Sequence, residues 1–490
     1  MSASVVTHRV AVEAIPLLET KAWRDDVLRR HRGGARLVTL FGKRHDEQVL
    51  ITSVFREPNG TLAVTRTNTS AQFGYHELTS EWPALHCFER ELHEQTGVRI
   101  AAHPWLKPIR YEGKAQSAMD SYPFYKITGK EVHEVAVGPI HAGVIEPGAF
   151  RFMCHGEQVH HLEIHLGYQH RGVEALLLKG SATQLTPLVE TIAGDTSIAH
   201  AWAYCAAVES LAECELGLES EVARAVVLEL ERVAMHLAGL SGLAADVGFL
   251  QGATTYGRLR TTAINTTMRL CGSRFGRGAL RPGGVGMQLT ADLLRDVLAN
   301  LALLRADLPI IHDCFLESET VQHRLRGAGV LTRAQALEIG LVGMAARASG
   351  VSIDARQAHP HGAYAALPIA PHLFEEGDCW ARARIRIAEL DASLGWLQGI
   401  LALHGGWEQP RRTLGGLAPR QLALTLVEGW RGEVVHCLET DAEGKLAHYK
   451  VQDPSLRCWL GLALAVRGNE ISDFPICNKS FDLSYCGNDL

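Results

Sequence analysis

The sequence predicts an α+β fold, with a small N-terminal α/β domain at residues 1–125 and a mainly α-helical bundle with a peripheral β-sheet at residues 133–490. Two alternating apolar runs near the N-terminus flank an Asn-Gly turn, which is a strong short-range signal of a β-hairpin. Beyond residue 195, apolar residues recur mostly at helical spacing. A length of 490 residues by itself predicts about two to four domains.

The N-terminal domain is predicted to be a small sheet followed by a helix. Residues 49–55 and 62–67 are the two strands of the hairpin, and the apolar residues 36–41 predict a further strand before it. The polar run at residues 80–97 predicts a helix. Residues 107–132 are rich in Lys, Gly, Ser and Tyr, and we interpret them as the linker between the domains.

The second domain is predicted to begin with a strand and to continue with helices. Within residues 159–166, Leu162, Ile164 and Leu166 alternate with polar residues, which is typical of a half-buried strand. Residues 222–240 are apolar around most of the helix circumference, as expected for a helix buried in a bundle. The predicted helices are residues 198–212, 222–240, 290–308, 332–349 and 374–404.

Capping residues and helix breakers predict some of the boundaries. Thr290 and Thr332 are predicted N-caps, and Pro309 is predicted to end the helix that begins after Thr290. Residues 434–438 and 446–451 are two short apolar runs that predict a late hairpin.

Composition excludes several classes of function. Charged residues make up 21% and apolar residues 47% of the chain, and the net charge is only −6. Neither nucleic acid nor an anionic membrane surface is therefore expected as a direct partner. No apolar run reaches about 18 residues without a charge, and no basic-then-apolar signal opens the sequence. We expect a cytoplasmic protein whose membrane attachment is made through partner subunits.

Eleven cysteines are scattered through the chain, and none forms a Cys-x-x-Cys pair. In a long chain without a secretion signal, such cysteines are expected to be reduced and mostly buried. Iron–sulfur clusters require closely spaced thiolates. The chain is therefore not expected to hold a cluster of its own.

Two stretches far apart in the sequence, residues 188–205 and 473–486, carry the most information. Both resemble the segments that hold the nickel–iron centre in group 4 [NiFe]-hydrogenase large subunits of the formate hydrogenlyase type. Residues 20–125 resemble the small complex I subunit that formate hydrogenlyases fuse to the front of this one, and the later core is also similar to the quinone-site subunit of complex I. Other motifs follow in the family's order: Gly138-Pro-Ile-His-Ala-Gly143, Glu146-Pro-Gly148, Gly167-Tyr-Gln-His-Arg-Gly172, Glu231-Arg232, Arg281-Pro-Gly-Gly-Val285, Gly377-Asp378 and Glu428-Gly-Trp-Arg-Gly-Glu433.

The resemblance also identifies what this chain lacks. Each of the two segments carries a Cys-x-x-Cys pair in the hydrogenases, whereas here Ala193 and Thr196 stand at the first pair and Ser484 and Gly487 at the second. Nickel and low-valent iron select thiolate sulfur over hydroxyl and carboxylate oxygen. A rearranged metal site around Cys486 is therefore ranked last. We expect no nickel–iron centre, and we assign no metal ligand in this chain.

The resemblance implies the large subunit of a membrane-associated, complex I-like or formate hydrogenlyase-like oxidoreductase. Electrons would pass between a [4Fe-4S] cluster of a small partner subunit and a quinone or another small acceptor, without hydrogenase activity. Ferredoxin-like and membrane antiporter-like subunits are the other expected partners, and the chain would lie at the inner face of the membrane. The alternative is a redox-silent scaffold or coupling subunit of an ion-translocating complex.

The candidate catalytic residues are the polar side chains that the resemblance implies around the emptied cavity: Asp195, His200, His141 and Asp482. His200 can equally be interpreted as a satisfied core histidine. In complex I, a histidine and a tyrosine hydrogen-bond the quinone head, but Ala149 and Gly194 stand at those positions here. A quinone in that pose would lose both hydrogen bonds, each worth about 1 kcal/mol.

His170 and Arg171 are the candidate cofactor-facing residues. In both related families the arginine of this motif lies close to the [4Fe-4S] cluster of the small subunit. A cation there favours the reduced cluster and so raises its potential. The alternative is a structural arginine that bridges strand and helix through Glu163 or Glu174.

Arg232 and His236 lie four residues apart on a predicted helix. Pairing with Glu229 or Glu231 would give a buried charged network at a subunit interface, which we favour over a catalytic role. The loop formed by Asp354, Arg356 and residues 359–361 is expected near the cavity, where a simple salt bridge weighs as much as a role in gating protons.

His161, Glu163 and His165 alternate along the predicted strand. Their spacing of about 6.5 to 7 Å is wide for ligands of one small metal ion. We favour a solvated or interface-facing strand over a metal site.

Overall fold

The computed structural model describes residues 7–112, 116–143, 145–358, 362–408 and 412–490. The helices in these residues are α1 (Thr20–Arg32), α2 (His86–Thr96), α3 (Val173–Leu177), α4 (Thr186–Val189), α5 (Ser197–Leu211), α6 (Leu218–Asp246), α7 (Leu250–Cys271), α8 (Ala291–Glu317), α9 (Glu319–Leu325), α10 (Arg333–Glu338), α11 (Gly343–Ala348), α12 (Ala355–Ala358), α13 (Gly362–Ala366), α14 (Cys379–His404), α15 (Ser455–Ala465), α16 (Phe474–Phe481) and α17 (Tyr485–Asp489). The strands in these residues are β1 (Thr7–Ala11), β2 (Leu17–Leu18), β3 (Arg36–His45), β4 (Gln48–Arg56), β5 (Leu62–Ser70), β6 (Tyr75–His76), β7 (Ile100–Ala101), β8 (Val132–Val137), β9 (Ala149–His155), β10 (Gln158–His165), β11 (Leu280–Arg281), β12 (Gly284–Val285), β13 (Gln421–Glu428), β14 (Glu433–Thr440) and β15 (Leu446–Gln452). The predicted α+β class is confirmed.

The N-terminal sheet has the strand order β2-β5-β4-β3. β4 and β5 are the predicted hairpin, and its turn residue Gly60 adopts a φ of +85°, which glycine tolerates without strain. The predicted strand at residues 36–41 is confirmed as part of β3. Helix α1 buries Trp23 and Val27 against this sheet.

The helix predicted at residues 80–97 is shorter than expected. A 3-10 turn at Pro83–Leu85 precedes α2, which begins at His86. The helix ends at Gly97, whose φ of +71° is a common way to stop a helix.

The second domain contains a three-stranded sheet, β10-β9-β8, and a four-stranded sheet, β1-β13-β14-β15. The strand predicted at residues 159–166 and the late hairpin are confirmed as β10 and as β14 with β15. Strand β1 was not predicted: it pairs antiparallel with β13, with Thr7 opposite Thr425. The N-terminal residues therefore complete a sheet made by the C-terminal half of the chain.

The helical bundle is built around α6, which packs against α7, α14 and α16. Helices α5 and α6 confirm the apolar periodicity in the sequence, and α5 is buried along almost all of its length. Helix α7 was missed because Thr and Arg interrupt its apolar positions, and only one face of it is buried.

Two predicted helix boundaries are wrong. Thr290 caps α8 as expected, but the helix continues through Pro309 to Glu317. Pro309 lies on an exposed face, where water can replace the hydrogen bond that a proline removes. Thr332 also caps its helix, but α10 ends at Glu338, because the chain turns at Gly340 with a φ of +67° and α11 begins separately.

Buried charged side chains join the N-terminal sheet to the C-terminal one. Arg36 of β3 donates two hydrogen bonds to the Glu433 carboxylate of β14, at 2.7 and 2.8 Å. The Arg457 guanidinium of α15 donates to the carbonyl oxygens of Leu37 and Val38. These contacts hold the two domains against each other. The domain boundaries themselves, residues 1–125 and 133–490, stay a prediction.

The segment interpreted as a linker is packed on the second domain. Tyr111, Met119 and Tyr122 form a small buried cluster, and the Tyr122 ring stacks on His165 of β10. The Lys107 ammonium forms an ion pair of 2.5 Å with a Glu163 carboxylate oxygen. The aromatic residues of this segment therefore contribute apolar contacts that composition alone did not indicate.

We predict that Arg36→Gln lowers the free energy of unfolding by about 3 kcal/mol, because it leaves the Glu433 carboxylate buried without a cation. Urea denaturation followed by circular dichroism measures the change. Arg9→Gln is the matched control, since Arg9 pairs with the exposed Glu213 and should contribute less than about 1 kcal/mol. Equal losses in the two variants would contradict the role given to Arg36.

Candidate functional site

The two segments singled out in the sequence lie side by side and border a cavity of about 390 Å³. We call it the large-domain cavity. Small residues of α6 leave the space open on one side, and the end of α16 closes the other side. Its lining residues are Gly194, Asp195, Met235, Ala238, Gly242, Arg260, Phe275, Arg277, Trp430, Lys479 and Asp482.

The Arg431 guanidinium connects the walls of this cavity. It donates to the two Asp195 carboxylate oxygens at 2.7 and 2.6 Å, to the Thr196 hydroxyl at 3.2 Å and to the Asp482 carbonyl oxygen at 2.5 Å. It also lies 4.0 Å from the centroid of the Trp430 ring. Burial opposes its charge, but the Asp195 carboxylate raises the pKa of Arg431 above its ordinary value. The cation is therefore held in place between the two segments.

The four positions where the hydrogenases carry cysteine have other roles here. Ala193 and Thr196 are fully buried. The Ser484 hydroxyl accepts a hydrogen bond of 2.9 Å from the Gly487 amide and so caps α17. A Cβ atom on Gly487 would lie 2.6 Å from the Asp453 carboxyl carbon, so no side chain fits there without a shift.

His200 lies behind the cavity, within a buried row of hydrogen bonds. Its Nε2 is 3.1 Å from an Asp453 carboxylate oxygen, and its Nδ1 is 3.0 Å from Nε2 of His436. Nδ1 of His436 is in turn 2.8 Å from the Tyr449 hydroxyl. Burial lowers the pKa of His436 far below its ordinary value, so this imidazole is neutral. Burial alone would raise the pKa of Asp453, but His200 and Arg431 hold it below its ordinary value.

Of the four predicted catalytic residues, Asp195 and Asp482 line the cavity, and their side chains are 36% and 30% exposed. His200 does not belong to the lining; it binds Asp453, which lies beside Gly487. His141 lies elsewhere, with its Nε2 2.9 Å from the Gly148 carbonyl oxygen of its own loop.

Arg171 joins the two segments at the protein surface. Its guanidinium donates to the carbonyl oxygens of Thr191 at 2.7 Å, Ile192 at 3.0 Å and Cys486 at 3.0 Å. His170 contacts helix α17 near the C-terminus, with its Nδ1 2.8 Å from the Asp489 carbonyl oxygen. Among the described residues, the hydrogen-bonding partners of Arg171 are backbone carbonyls, so the alternative of a bridge through Glu163 or Glu174 is wrong.

A buried charged network fills the bundle beside the cavity. The Glu389 carboxylate accepts from Arg232 at 3.1 Å and from Arg347 at 2.7 Å, and it lies 3.1 Å from Nε2 of His236. Further ion pairs extend the network: Arg347–Glu428, Arg356–Asp354 and Arg356–Glu229. The expected charged network is therefore confirmed, although Glu389, its central acceptor, is remote in sequence and was not predicted. Residues 359–361 of the expected loop lie outside the described residues.

Of the two predicted carboxylates, Glu229 lies 3.5 Å from Nε of Arg232, whereas Glu231 pairs with neither Arg232 nor His236 and caps α5 instead. Its carboxylate accepts from the Ile198 amide at 2.8 Å and from the Ala199 amide at 3.4 Å. Full burial and the nearby negative charge of Asp195 raise the pKa of Glu231 to about 8. The carboxyl group that supports this wall of the cavity is therefore protonated at neutral pH.

The alternating strand residues are engaged in packing. The His165 ring stacks on Tyr122, and Glu163 accepts from Lys107 and Tyr122. No group of three His, Cys, Asp or Glu side chains among the described residues is arranged to hold a metal ion.

Comparison with known proteins now fixes the relationship. The family described as respiratory-chain NADH dehydrogenase, 49 Kd subunit, matches residues 246–405. Carbon monoxide-induced hydrogenase of Rhodospirillum rubrum is 30% identical over 354 residues, which cover 71% of this chain and 97% of that protein. The chain belongs to this family of hydrogenase-type and 49 kDa-type large subunits. The resemblance seen in the sequence is thereby confirmed.

Two further members of the family place it among oxidoreductase subunits. Formate hydrogenlyase subunit 5 of Escherichia coli K12 is 28% identical over 439 residues, which cover 85% of this chain and 77% of that one. A chain from the structure of the membrane-bound sulfane sulfur reductase, an archaeal respiratory membrane complex, superposes with a TM-score of 0.69 and 25% identity, over 75% of this chain and all of that chain. No helix among the described residues has the length and apolarity needed to cross a membrane.

Sequence reasoning missed Arg431, Asp453 and the three basic residues of the cavity lining. Arg431 lies inside the family motif that ends at Glu433, so the signal was present without its role. Lys479 lies within the tail segment 473–486 but was assigned no role there, whereas Asp453, Arg260 and Arg277 stand in no family motif and are identified only by the fold.

We predict that Glu231→Gln removes a pH dependence of stability. The folded-state pKa is raised to about 8 from an ordinary value of 4.5, so the contribution of Glu231 to stability is fully present below about pH 4.5 and is lost as the pH rises through about 8. The glutamine variant should lack this decline and gain relative stability at pH 8 to 9. Denaturation midpoints measured from pH 5 to 9 test this. Parallel curves for the two proteins would show that Glu231 does not titrate as described.

Proposed function

We propose that this chain is the large subunit of a membrane-associated oxidoreductase complex. In it, electrons pass between a [4Fe-4S] cluster of a small partner subunit and a small acceptor in the large-domain cavity, without hydrogenase activity. The observation that carries the proposal is the large-domain cavity. It lies between the two segments that hold the metal in the family, and the Arg431–Asp195 ion pair lies beside it. The relatives' names, which include a formate hydrogenlyase and a respiratory membrane complex, support the assignment to such an assembly.

The side chains around the cavity do not fit a nickel–iron centre. Such a centre needs convergent thiolates, and the cysteine positions hold Thr196, Ser484 and residues that carry no donor atom. Burial raises the pKa of the remaining Cys486 thiol to about 11, which keeps it protonated. A guanidinium that donates to Thr196 would also repel a metal cation.

The residues of the cavity would bind and orient the acceptor. Asp195 is engaged by Arg431 and holds the wall, whereas Asp482 and Lys479 present charged groups to the cavity. Phe275 and Trp430 provide apolar surface beside them. A quinone remains one of the candidate acceptors.

Arg171 is the residue that we propose faces the cluster of the small partner subunit. Its side chain is exposed, and it bridges both segments that border the cavity. Ferredoxin-like and membrane antiporter-like subunits would complete the complex and attach this chain peripherally to the inner face of the membrane. If the assembled complex reduces no acceptor, the scaffold alternative replaces electron transfer.

We predict that the purified complex contains iron from its partner's cluster but no stoichiometric nickel. Elemental analysis by mass spectrometry, performed on the intact complex and on this chain alone, measures both metals. Nickel and iron in equal amounts in this chain would overturn the metal-free proposal.

Arg171→Met is expected to lower the midpoint potential of the partner's cluster by about 60 mV, the shift for a tenfold change in a one-electron equilibrium. The reason is that a nearby cation stabilises the more negative, reduced cluster. Redox titration followed by electron paramagnetic resonance measures the potential.

Arg171→Lys separates charge from structure, because a lysine keeps the cation but lacks the planar fork of donors that spans the three carbonyl oxygens. The potential should stay close to wild type in this variant. Potentials that fall equally in both variants, or in neither, would contradict an electrostatic role for Arg171.

A further inference from the structure

We propose that the large-domain cavity is a binding site for a small anion, so that the acceptor assigned to it above is an oxo- or thio-anion rather than a neutral quinone. This rests on the proposed function, in which the acceptor occupies this cavity. Three basic side chains line it: Arg260 from α7, Arg277 from the loop after α7, and Lys479 from α16.

The carboxylates of the cavity already have cationic partners. Asp195 binds Arg431 at 2.6 Å, and Asp482 lies 3.5 Å from the Arg386 guanidinium. The basic residues of the lining, in contrast, form no ion pair within 4.0 Å with any described residue. The two acidic side chains of the lining are thus already paired, so its three basic side chains are available to attract an anion, whereas a neutral ring would have no charged partner there.

Two arginines near the cavity also have donor atoms without acceptors. The Arg260 Nε is buried and has no hydrogen-bonding partner among the described residues, and the same holds for Nε and Nη1 of Arg386. Buried donors normally find an acceptor, from the protein or from a ligand. Arg386 is fully buried, and a Cβ on Gly239, the residue after the lining residue Ala238, would lie 2.5 Å from its Nη1. Its Nε and Nη1 are therefore unpaired donors behind the wall, while its charge is the one that partners Asp482.

The nearest acidic groups do not neutralise these cations. Asp246 lies within electrostatic range of Lys479, and Glu190 within range of Arg277, but neither forms an ion pair with them. The Glu190 carboxylate instead accepts a hydrogen bond of 2.7 Å from the Gly278 amide. These two carboxylates therefore leave the basic side chains of the lining available to a bound anion.

The size and the apolar surface of the cavity narrow the class of anion. About 390 Å³ accommodates a small molecule, and Met235, Phe275 and Trp430 supply surface that is weakly hydrated. Polarizable anions with sulfur or several oxygen atoms suit a site that combines arginine donors with aromatic walls.

Isothermal titration calorimetry on the full-length chain tests this, with thiosulfate as the anionic probe and decylubiquinone as the neutral one, in a chloride-free zwitterionic buffer. Thiosulfate should bind, and Lys479→Gln and Arg260→Gln should each weaken binding by about tenfold or more, the loss typical of one charge-assisted hydrogen bond. Arg258→Gln is the control for Arg260, since Arg258 lies on the same helix and pairs with the exposed Asp307. Lys445→Gln is the control for Lys479, because Lys445 is exposed in the β14–β15 turn. Both controls should change the affinity by less than about twofold.

Equal thiosulfate affinity in wild type and Lys479→Gln would overturn the inference, as would decylubiquinone binding that thiosulfate does not displace. Lys479 is half-buried, so its variant remains informative if Arg260→Gln fails to fold. Reduction of each probe by the assembled complex is measured separately. Reduction of decylubiquinone with no thiosulfate binding would support the proposed function and refute the anion site, whereas thiosulfate binding with no reduction of either probe would do the reverse.

Discussion

The ion pair between Arg431 and Asp195 is the contact on which the rest of the site depends. It joins the turn between β13 and β14 to the start of α5, and the same guanidinium holds the carbonyl oxygen of Asp482 in the tail. In the hydrogenases these segments converge on metal-bound thiolates; here a cation performs the joining. Only the Arg431 side of this pair is buried; the Asp195 side chain is 36% exposed, so solvent screening lowers what the pair contributes to stability.

Two buried glutamates, Glu389 and Glu231, are in opposite protonation states. Glu389 stays ionised, since Arg347, His236 and Arg232 hold the pKa of its carboxyl far below the ordinary value against the effect of burial. Glu231 has no comparable cation at its carboxylate and is neutral instead. The bundle therefore holds the charged Glu389 carboxylate in its interior and the uncharged Glu231 carboxyl group next to the cavity. An uncharged Glu231 does not offset the positive charge of the basic lining residues.

Local patterns predicted the elements whose determinants lie within a few residues. The Asn-Gly hairpin, the caps at Thr290 and Thr332 and the apolar periodicity of α6 all belong to this class. The continuation of α8 through Pro309 depends instead on which face of the helix meets solvent, a property set by packing. Such information is absent from a one-dimensional pattern.

The same limit applies to the candidate site. Asp195 and Asp482 were identified through family motifs, and both line the cavity. Asp453, which fills the space beside Gly487 and binds His200, comes from a strand end with no distinguishing neighbours. Its importance arises from a contact across more than 250 residues of sequence.

The pairing of β1 with β13 has a consequence for biogenesis. Thr7 pairs with Thr425 in this sheet, so the first described strand has no partner strand until most of the polypeptide has been synthesised. At ordinary translation rates that interval lasts tens of seconds. During it, the nascent protein presents an unpaired backbone edge, which is the kind of surface that chaperones shield and that aggregates otherwise recruit.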